Sequence, residues 1–299
     1  MPRIAHKALS LVLGQYLPTS PPERVEVVLA RYASALMSPG DLRDSDEVVE
    51  EELHDFLTEL RHHWNECAAE TGRYCPFEFS ALDDKVLQGC AWISENDLPS
   101  VREQRALLAA QFSPLLQAIR NMDPDDFEAL GAGILNVLGV RSAKATTRSR
   151  DEGIDFFGRL RMSDFMLQHH ALPNVERQLE VWIIGQAKRY VADPVGTASI
   201  RELVGSCELA RAGIWPIRAT TYSPAIQIRQ LDPVYALMIT CGQFSGPAWK
   251  LMRAAGVVGM DGPMLAQMLA LEGQLTDAET GAFDPVRFGD WLDGQERLV

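Results

Sequence analysis

Val181-Trp-Ile-Ile-Gly-Gln-Ala-Lys-Arg-Tyr190 is the stretch on which the fold turns. Its short apolar run predicts a β-strand, and alternation along a strand places Trp182, Ile184, Gln186 and Lys188 on one face. A glutamine and a lysine thus continue an otherwise apolar face. Burying a lysine without a partner is costly, so the placement implies a nearby negative group or a pocket open to an anionic substrate. Asp155, in Gly153-Ile-Asp-Phe-Phe157, is the natural candidate if its strand is the neighbour. Asp155, the side-chain oxygen of Gln186 and the Ala187 carbonyl would form a hard oxygen site suited to Mg²⁺, with Lys188 beside the water it activates.

Working outward, the pattern is of helices alternating with strands. Asp123 can cap a helix in which Phe127, Leu130, Ile134 and Leu138 share one face and which Gly139 stops. Strand candidates follow at 140–147 and 153–160, then at 181–190. A helix over 197–212 turns Ile200, Leu203, Val204, Cys207 and Ala210 inward. Further strands are expected at 215–222, 235–241 and 256–260, with a helix over 247–255 between the last two. This is an α/β layout in which helices flank both faces of one sheet.

Upstream of residue 121 the periodicity is helical. Val25, Val28, Leu29 and Tyr32 recur on one face after Pro21-Pro22. Residues 46–70 read as a second helix, capped by Ser45 or Asp46, with a stripe of Val49, Leu53, Leu57, Leu60 and Trp64 widened by Phe56. Residues 101–120 read as a third, with Pro114 as a kink. The expectation is an all-helical N-terminal domain over 1–120, an α/β domain over 121–270 and an acidic C-terminal tail over 271–299.

Composition sets the outer limits. The 299 residues carry a formal charge of −13, with 46% hydrophobic and 23% charged residues, as in a soluble globular protein. Charge is unevenly spread: residues 1–120 hold 11 basic against 19 acidic side chains, 121–270 hold 15 of each, and 271–299 hold two against seven. Only the middle region does not repel a polyanion, and local basic clusters there can hold a phosphate backbone if the acidic parts face away. No apolar run reaches the roughly 18 residues of a membrane span, and no cleavage site follows the short apolar stretch after Lys7, so a cytoplasmic protein is expected.

The five cysteines, Cys67, Cys75, Cys90, Cys207 and Cys241, form no CxxC pair and read as reduced thiols. His62, His63, Cys67 and Cys75 match no common zinc spacing. Other enzyme classes find no support. There is no GxxxxGK[ST] loop, Gly131-Ala-Gly133 falls inside a helix and lacks the third glycine of a dinucleotide fingerprint, and no GxSxG elbow is present.

At these residues the sequence resembles a known family. Met122-Asp-Pro-Asp-Asp-Phe-Glu-Ala-Leu130, Leu138-Gly139, Asp151-Glu-Gly-Ile-Asp155, Gln186-Ala-Lys-Arg-Tyr190, Val195-Gly196 and Arg201-Glu-Leu203 look like the Mrr-type restriction endonuclease domain of the PD-(D/E)xK nuclease superfamily. Ile239-Thr-Cys-Gly-Gln-Phe-Ser-Gly-Pro-Ala248 and Val258-Gly-Met-Asp-Gly262 resemble its closing strand, helix and strand. The likeness covers 121–270, with a long link over 161–180 and an insertion over 214–234 as departures.

The resemblance implies a restriction-endonuclease-like mixed sheet flanked by helices. It also implies that Asp155 binds Mg²⁺, that Gln186 stands where most of the superfamily has Glu or Asp, that Lys188 is the catalytic lysine, and that Glu128 is an accessory acid. Arg189 and Tyr190 read equally as phosphate contacts or as rim residues of the sheet. His169 and His170 read as loop residues. The expected activity is Mg²⁺-dependent hydrolysis of DNA phosphodiester bonds, with Mn²⁺ able to substitute, in defence against foreign DNA. DNA is the expected partner, with a homodimer and a partner protein or ligand on the N-terminal domain as further expectations. The competing reading is a catalytically inactive nuclease fold that acts as a binding or regulatory module, because Gln replaces a carboxylate.

Overall fold

The computed structural model describes residues 4–37, 44–67, 73–140, 142–146, 153–161, 179–214, 225–273, 275–277 and 279–297. The expected strand at 215–222, as well as Asp151, Glu152, His169 and His170, lie outside them. The chain divides into two compact units, Met1–Ser113 with Ala270–Gly273, and Pro114–Leu269 with Gln274–Val299.

In the first unit, α1 (Ile4–Gln15), α2 (Val25–Leu36) and α3 (Ser45–Trp64) share one core. Ala5, Ala8, Leu9 and Val12 of α1 meet Val25, Val28, Leu29 and Tyr32 of α2 and Phe56 and Leu60 of α3, the spacing that one buried helix face requires. The cap of α3 is Asp44, whose carboxylate accepts the Glu47 N–H at 2.8 Å, one residue ahead of the expected caps. The α-helix runs to Trp64 and passes into a π turn over 65–67; the expected end at 70 lies outside the described residues.

The N-terminal unit is not all-helical. It also carries a three-stranded antiparallel sheet of β1 (Glu23–Arg24), β2 (Phe77–Phe79) and β3 (Val86–Gly89) in the order β1-β3-β2. Strands of two to four residues are too short to show alternation, and Pro76 and the Asp83–Asp84 turn read as loop. Phe77 and Leu87 nevertheless close the same core as the helices. α4 (Pro99–Asn121) runs through Pro114, where the two units divide.

The second unit is built on β4 (Lys144–Ala145), β5 (Phe156–Arg161), β6 (Glu180–Lys188), β7 (Val234–Thr240) and β8 (Val258–Met260), in spatial order β4-β5-β6-β7-β8. β4, β5 and β6 pair antiparallel; β6, β7 and β8 pair parallel. A mixed sheet flanked by helices is the architecture expected; it has five strands among the described residues. α5 (Pro124–Val137) starts where Asp123 accepts the Asp126 N–H at 3.0 Å, and Gly139 at φ 88° ends it, both as read from the sequence.

α5 covers the sheet face of Phe156. Gly131 and Gly185 let it do so: a Cβ at either would lie 2.2 Å or 2.0 Å from the Phe156 ring. The other face belongs to α6 (Thr197–Arg211) and α7 (Gly246–Ala255), with Phe157, Trp182, Ile184, Ile200, Leu203 and Met252 in one core. α8 (Gly262–Glu272) and α9 (Pro285–Asp293) follow. Asn136 on α5 donates to Gln295 just past α9 at 2.7 Å, so the acidic C-terminal stretch is folded onto the second unit.

Candidate active site

The site forms where the β5–β6 ladder ends. Its last pair is Phe156 with Gly185. One residue earlier the chain is still held in place, because the Asp155 N–H donates to the Gly185 carbonyl at 2.9 Å and the Asp155 carbonyl accepts the Thr146 N–H at 2.8 Å. β5 begins later than the expected 153. Gly153 sits at φ +65° and a Cβ there would lie 2.5 Å from the Ser206 hydroxyl of α6, so the chain turns before it enters the sheet.

The Asp155 side chain takes over from the ladder, its Oδ2 accepting the Ala187 N–H at 2.7 Å. In an extended strand the N–H and carbonyl of one residue face the same side, which turns the Ala187 carbonyl toward Asp155 as well. Burial pushes the Asp155 carboxyl up to about 6; the Ala187 N–H and Lys188 pull it down and Glu202 adds to the rise.

Gln186 is 2% exposed, although it continues the face of Trp182 and Ile184 as the alternation requires. Its Nε2 donates to Glu202 Oε1 of α6 at 3.3 Å. Its Oε1 is buried and has no hydrogen-bond partner among the described residues. Lys188, with a side chain 20% exposed, reaches Glu202 Oε2, also at 3.3 Å. Behind them Thr240 donates its hydroxyl to the Lys188 carbonyl at 2.8 Å, fixing the end of β6 against β7.

The structure therefore brings Asp155, Gln186, Ala187 and Lys188 to one place. Glu128 stands half-buried on α5, one turn beyond the first-turn acids Asp125 and Asp126. Arg189 donates to the Met122 carbonyl just past α4, and Tyr190 is half-exposed beside it. Glu202 was quoted above only as part of a motif. Its signal is positional: in a parallel crossover the helix runs back over the strand it follows, so the first turns of α6 must lie near the Lys188 end of β6.

Asp155, Gln186 and the Ala187 carbonyl offer only hard oxygen donors, the set that suits Mg²⁺ or Mn²⁺ rather than zinc. A buried amide oxygen with no hydrogen-bond partner among the described residues, near a carboxylate, is a donor pair that a cation would satisfy. The residues present fit the ion. Among the described residues no group of three or more His, Cys, Asp or Glu side chains could hold a metal, so one carboxylate would be joined by neutral oxygens.

The mixed sheet thus gathers these polar groups at the end of a strand, β6, that has one antiparallel and one parallel neighbour. Residues 119–217 match the Mrr_cat family, described as restriction endonuclease. No curated protein matches the chain. Among solved structures, MspJI restriction endonuclease in complex with a 27-mer oligonucleotide is similar at 20% identity and a TM-score of 0.40, over 68% of this chain and 40% of that one. The DNA modification-dependent restriction endonuclease AspBHI is similar at 16% identity and a TM-score of 0.39, over 87% of this chain and 77% of that one. FokI bound to DNA gives 12% identity and a TM-score of 0.36, over 99% of this chain and 47% of that one. No described helix is long and apolar enough to cross a membrane.

Proposed function

We propose that the second unit is a Mg²⁺-dependent endonuclease that hydrolyses phosphodiester bonds of DNA. The observation that carries this is the buried Gln186 Oε1, unpartnered among the described residues, on the strand whose Ala187 N–H holds the half-buried Asp155 carboxylate. In this reading Asp155, Gln186 Oε1 and the Ala187 carbonyl hold the cation, with Mn²⁺ able to replace Mg²⁺. Bound there, the ion supplies Lewis-acid polarisation of the phosphate and a more acidic water.

The chain's own residues do the rest. Lys188 Nζ, held over the site by Glu202, donates hydrogen bonds to the attacking water and to the charge that develops on phosphate oxygen. Ala187 N–H orients Asp155 by occupying Oδ2, which leaves Oδ1 for the cation. Glu128 serves as an accessory acid at the start of α5. The neutral charge balance of 121–270 suits a polyanion better than the acidic regions either side.

The acidic N-terminal domain, residues 1–120, is assigned to recognition of a partner, a ligand or the substrate, and the whole chain to defence against foreign DNA, acting as a homodimer. A fragment of residues 121–299 that unfolds cooperatively by circular dichroism supports this division; a fragment that does not fold rejects it. The main test is plasmid cleavage in Mg²⁺ by the full chain and by Asp155→Ala and Lys188→Ala. Cleavage retained in either variant removes the assignment.

The neutral amide of Gln186 also favours a second reading, an inactive nuclease fold that binds DNA or a partner. That reading requires no cleavage with any divalent ion, while the wild-type chain still retains DNA or a partner protein on a column.

A further inference from the structure

A glutamine that is to give its oxygen to a cation has a problem that a glutamate does not. The two ends of its amide are nearly the same size but opposite in function, one accepting and one donating. If the amide flips, the donor end faces the cation. Something must set its orientation, and Gln186 is too buried for water to do so.

Glu202 is placed to set it. A carboxylate only accepts, so Gln186 Nε2 at 3.3 Å from Glu202 Oε1 is the one amide orientation that avoids an acceptor facing an acceptor. That orientation leaves Oε1 as the free, buried end. The second oxygen of the same carboxylate holds Lys188 Nζ at 3.3 Å. One side chain on α6 thus spans both Gln186 and Lys188 of β6.

We propose that Glu202 is a positioning residue, which points the Gln186 oxygen into the site and fixes Lys188 beside it. The proposal rests on the nuclease reading above. It makes Glu202 the partner that a Gln-x-Lys strand needs and a Glu-x-Lys strand does not, because a carboxylate at 186 would present oxygen whichever way it turned. The half-exposed Glu202 side chain leaves the core of α6 untouched, so its removal spares the fold.

The test is a cycle of full-length variants read by Mn²⁺ calorimetry alongside plasmid cleavage. Glu202→Ala should weaken Mn²⁺ binding about tenfold, the usual cost of losing a group that orients a ligand. In the Gln186→Glu background the same substitution should cost less than about threefold, because the orientation no longer needs setting. Equal losses in both backgrounds would make Glu202 a ligand in its own right, and no loss in either would make it a surface residue; each result overturns the proposal. Asp155→Ala run in parallel separates the two levels. If it too binds Mn²⁺ and cleaves normally, the nuclease site itself has been misplaced, whereas a silent Glu202→Ala beside a dead Asp155→Ala defeats only the positioning role.

Discussion

The two ends of β6 both carry charge on or beside a buried face, and they are finished differently. At the first end Glu180 is ringed by arginines, with Arg159 and Arg161 each at 3.1 Å and Arg229 at 4.0 Å, and Arg159 also lies 5.8 Å from the centre of the Trp182 ring. At the other end Gln186 Oε1 has no hydrogen-bond partner among the described residues and Asp155 is held at a raised pKa. A polar cluster whose bonds are complete contributes to stability. A polar cluster left incomplete costs stability, and the fold tolerates that cost where a ligand completes it.

The largest effect should come from breaking the incomplete end. Lys188→Ala should lower Mg²⁺-dependent cleavage by at least about 100-fold, the range expected for a group that handles a proton or charge in the transition state. Circular dichroism should be unchanged.

Next in size is a gain. Asp155 titrates at about 6 in the folded chain against 3.8 as a free side chain, so folding favours its protonated form. Its contribution is fully present below pH 3.8 and is lost as pH rises through 6. Asp155→Asn should therefore stabilise the metal-free protein above pH 6 by up to about 3 kcal/mol, with the advantage fading toward pH 4. Thermal melts across that range in chelator would show it, and excess Mg²⁺ should raise the melting temperature of the wild type alone. A variant less stable than wild type in chelator at pH 7 would break the contrast between the two ends.

Glu180→Ala should do the reverse, removing about 1 kcal/mol by taking their shared carboxylate from Arg159 and Arg161, while Arg229 keeps Asp232 at 2.8 Å. Cleavage per folded molecule should not change. If activity falls instead, the first end of β6 is not merely structural.

The smallest expected effect concerns Gln186. Gln186→Glu adds a second negative donor and should tighten Mg²⁺ binding about tenfold by calorimetry, since carboxylate count tunes such sites. Should this substitution and Gln186→Ala both leave binding unchanged, the amide oxygen is not a ligand.

Much of this was legible because it depends on local rules. The period-two alternation of β6 puts Trp182, Ile184, Gln186 and Lys188 on one face whatever the rest of the chain does, and the structure keeps them there. The Asp123 cap and the Gly139 stop needed only the four residues around each. The small N-terminal sheet was not legible, since its strands of two to four residues are made by pairing rather than by pattern. β5 starts three residues after the expected 153, because the chain first turns at Gly153, whose left-handed φ +65° and close approach to Ser206 of α6 are not visible in a pattern of apolar residues.

What the sequence determined alone is therefore the inventory of the candidate site: an acid, and an amide and a lysine whose spacing along one strand sets their side. What tertiary structure decided is their state. Whether Asp155 is solvated or desolvated depends on the elements that cover it, and its pKa follows from that burial. Which end of the Gln186 amide is free depends on Glu202, sixteen residues on and brought back by the crossover from β6 to α6. Periodicity carries direction along one element, whereas desolvation and hydrogen-bond pairing are properties of the space between elements, which exists only once the chain has closed around it.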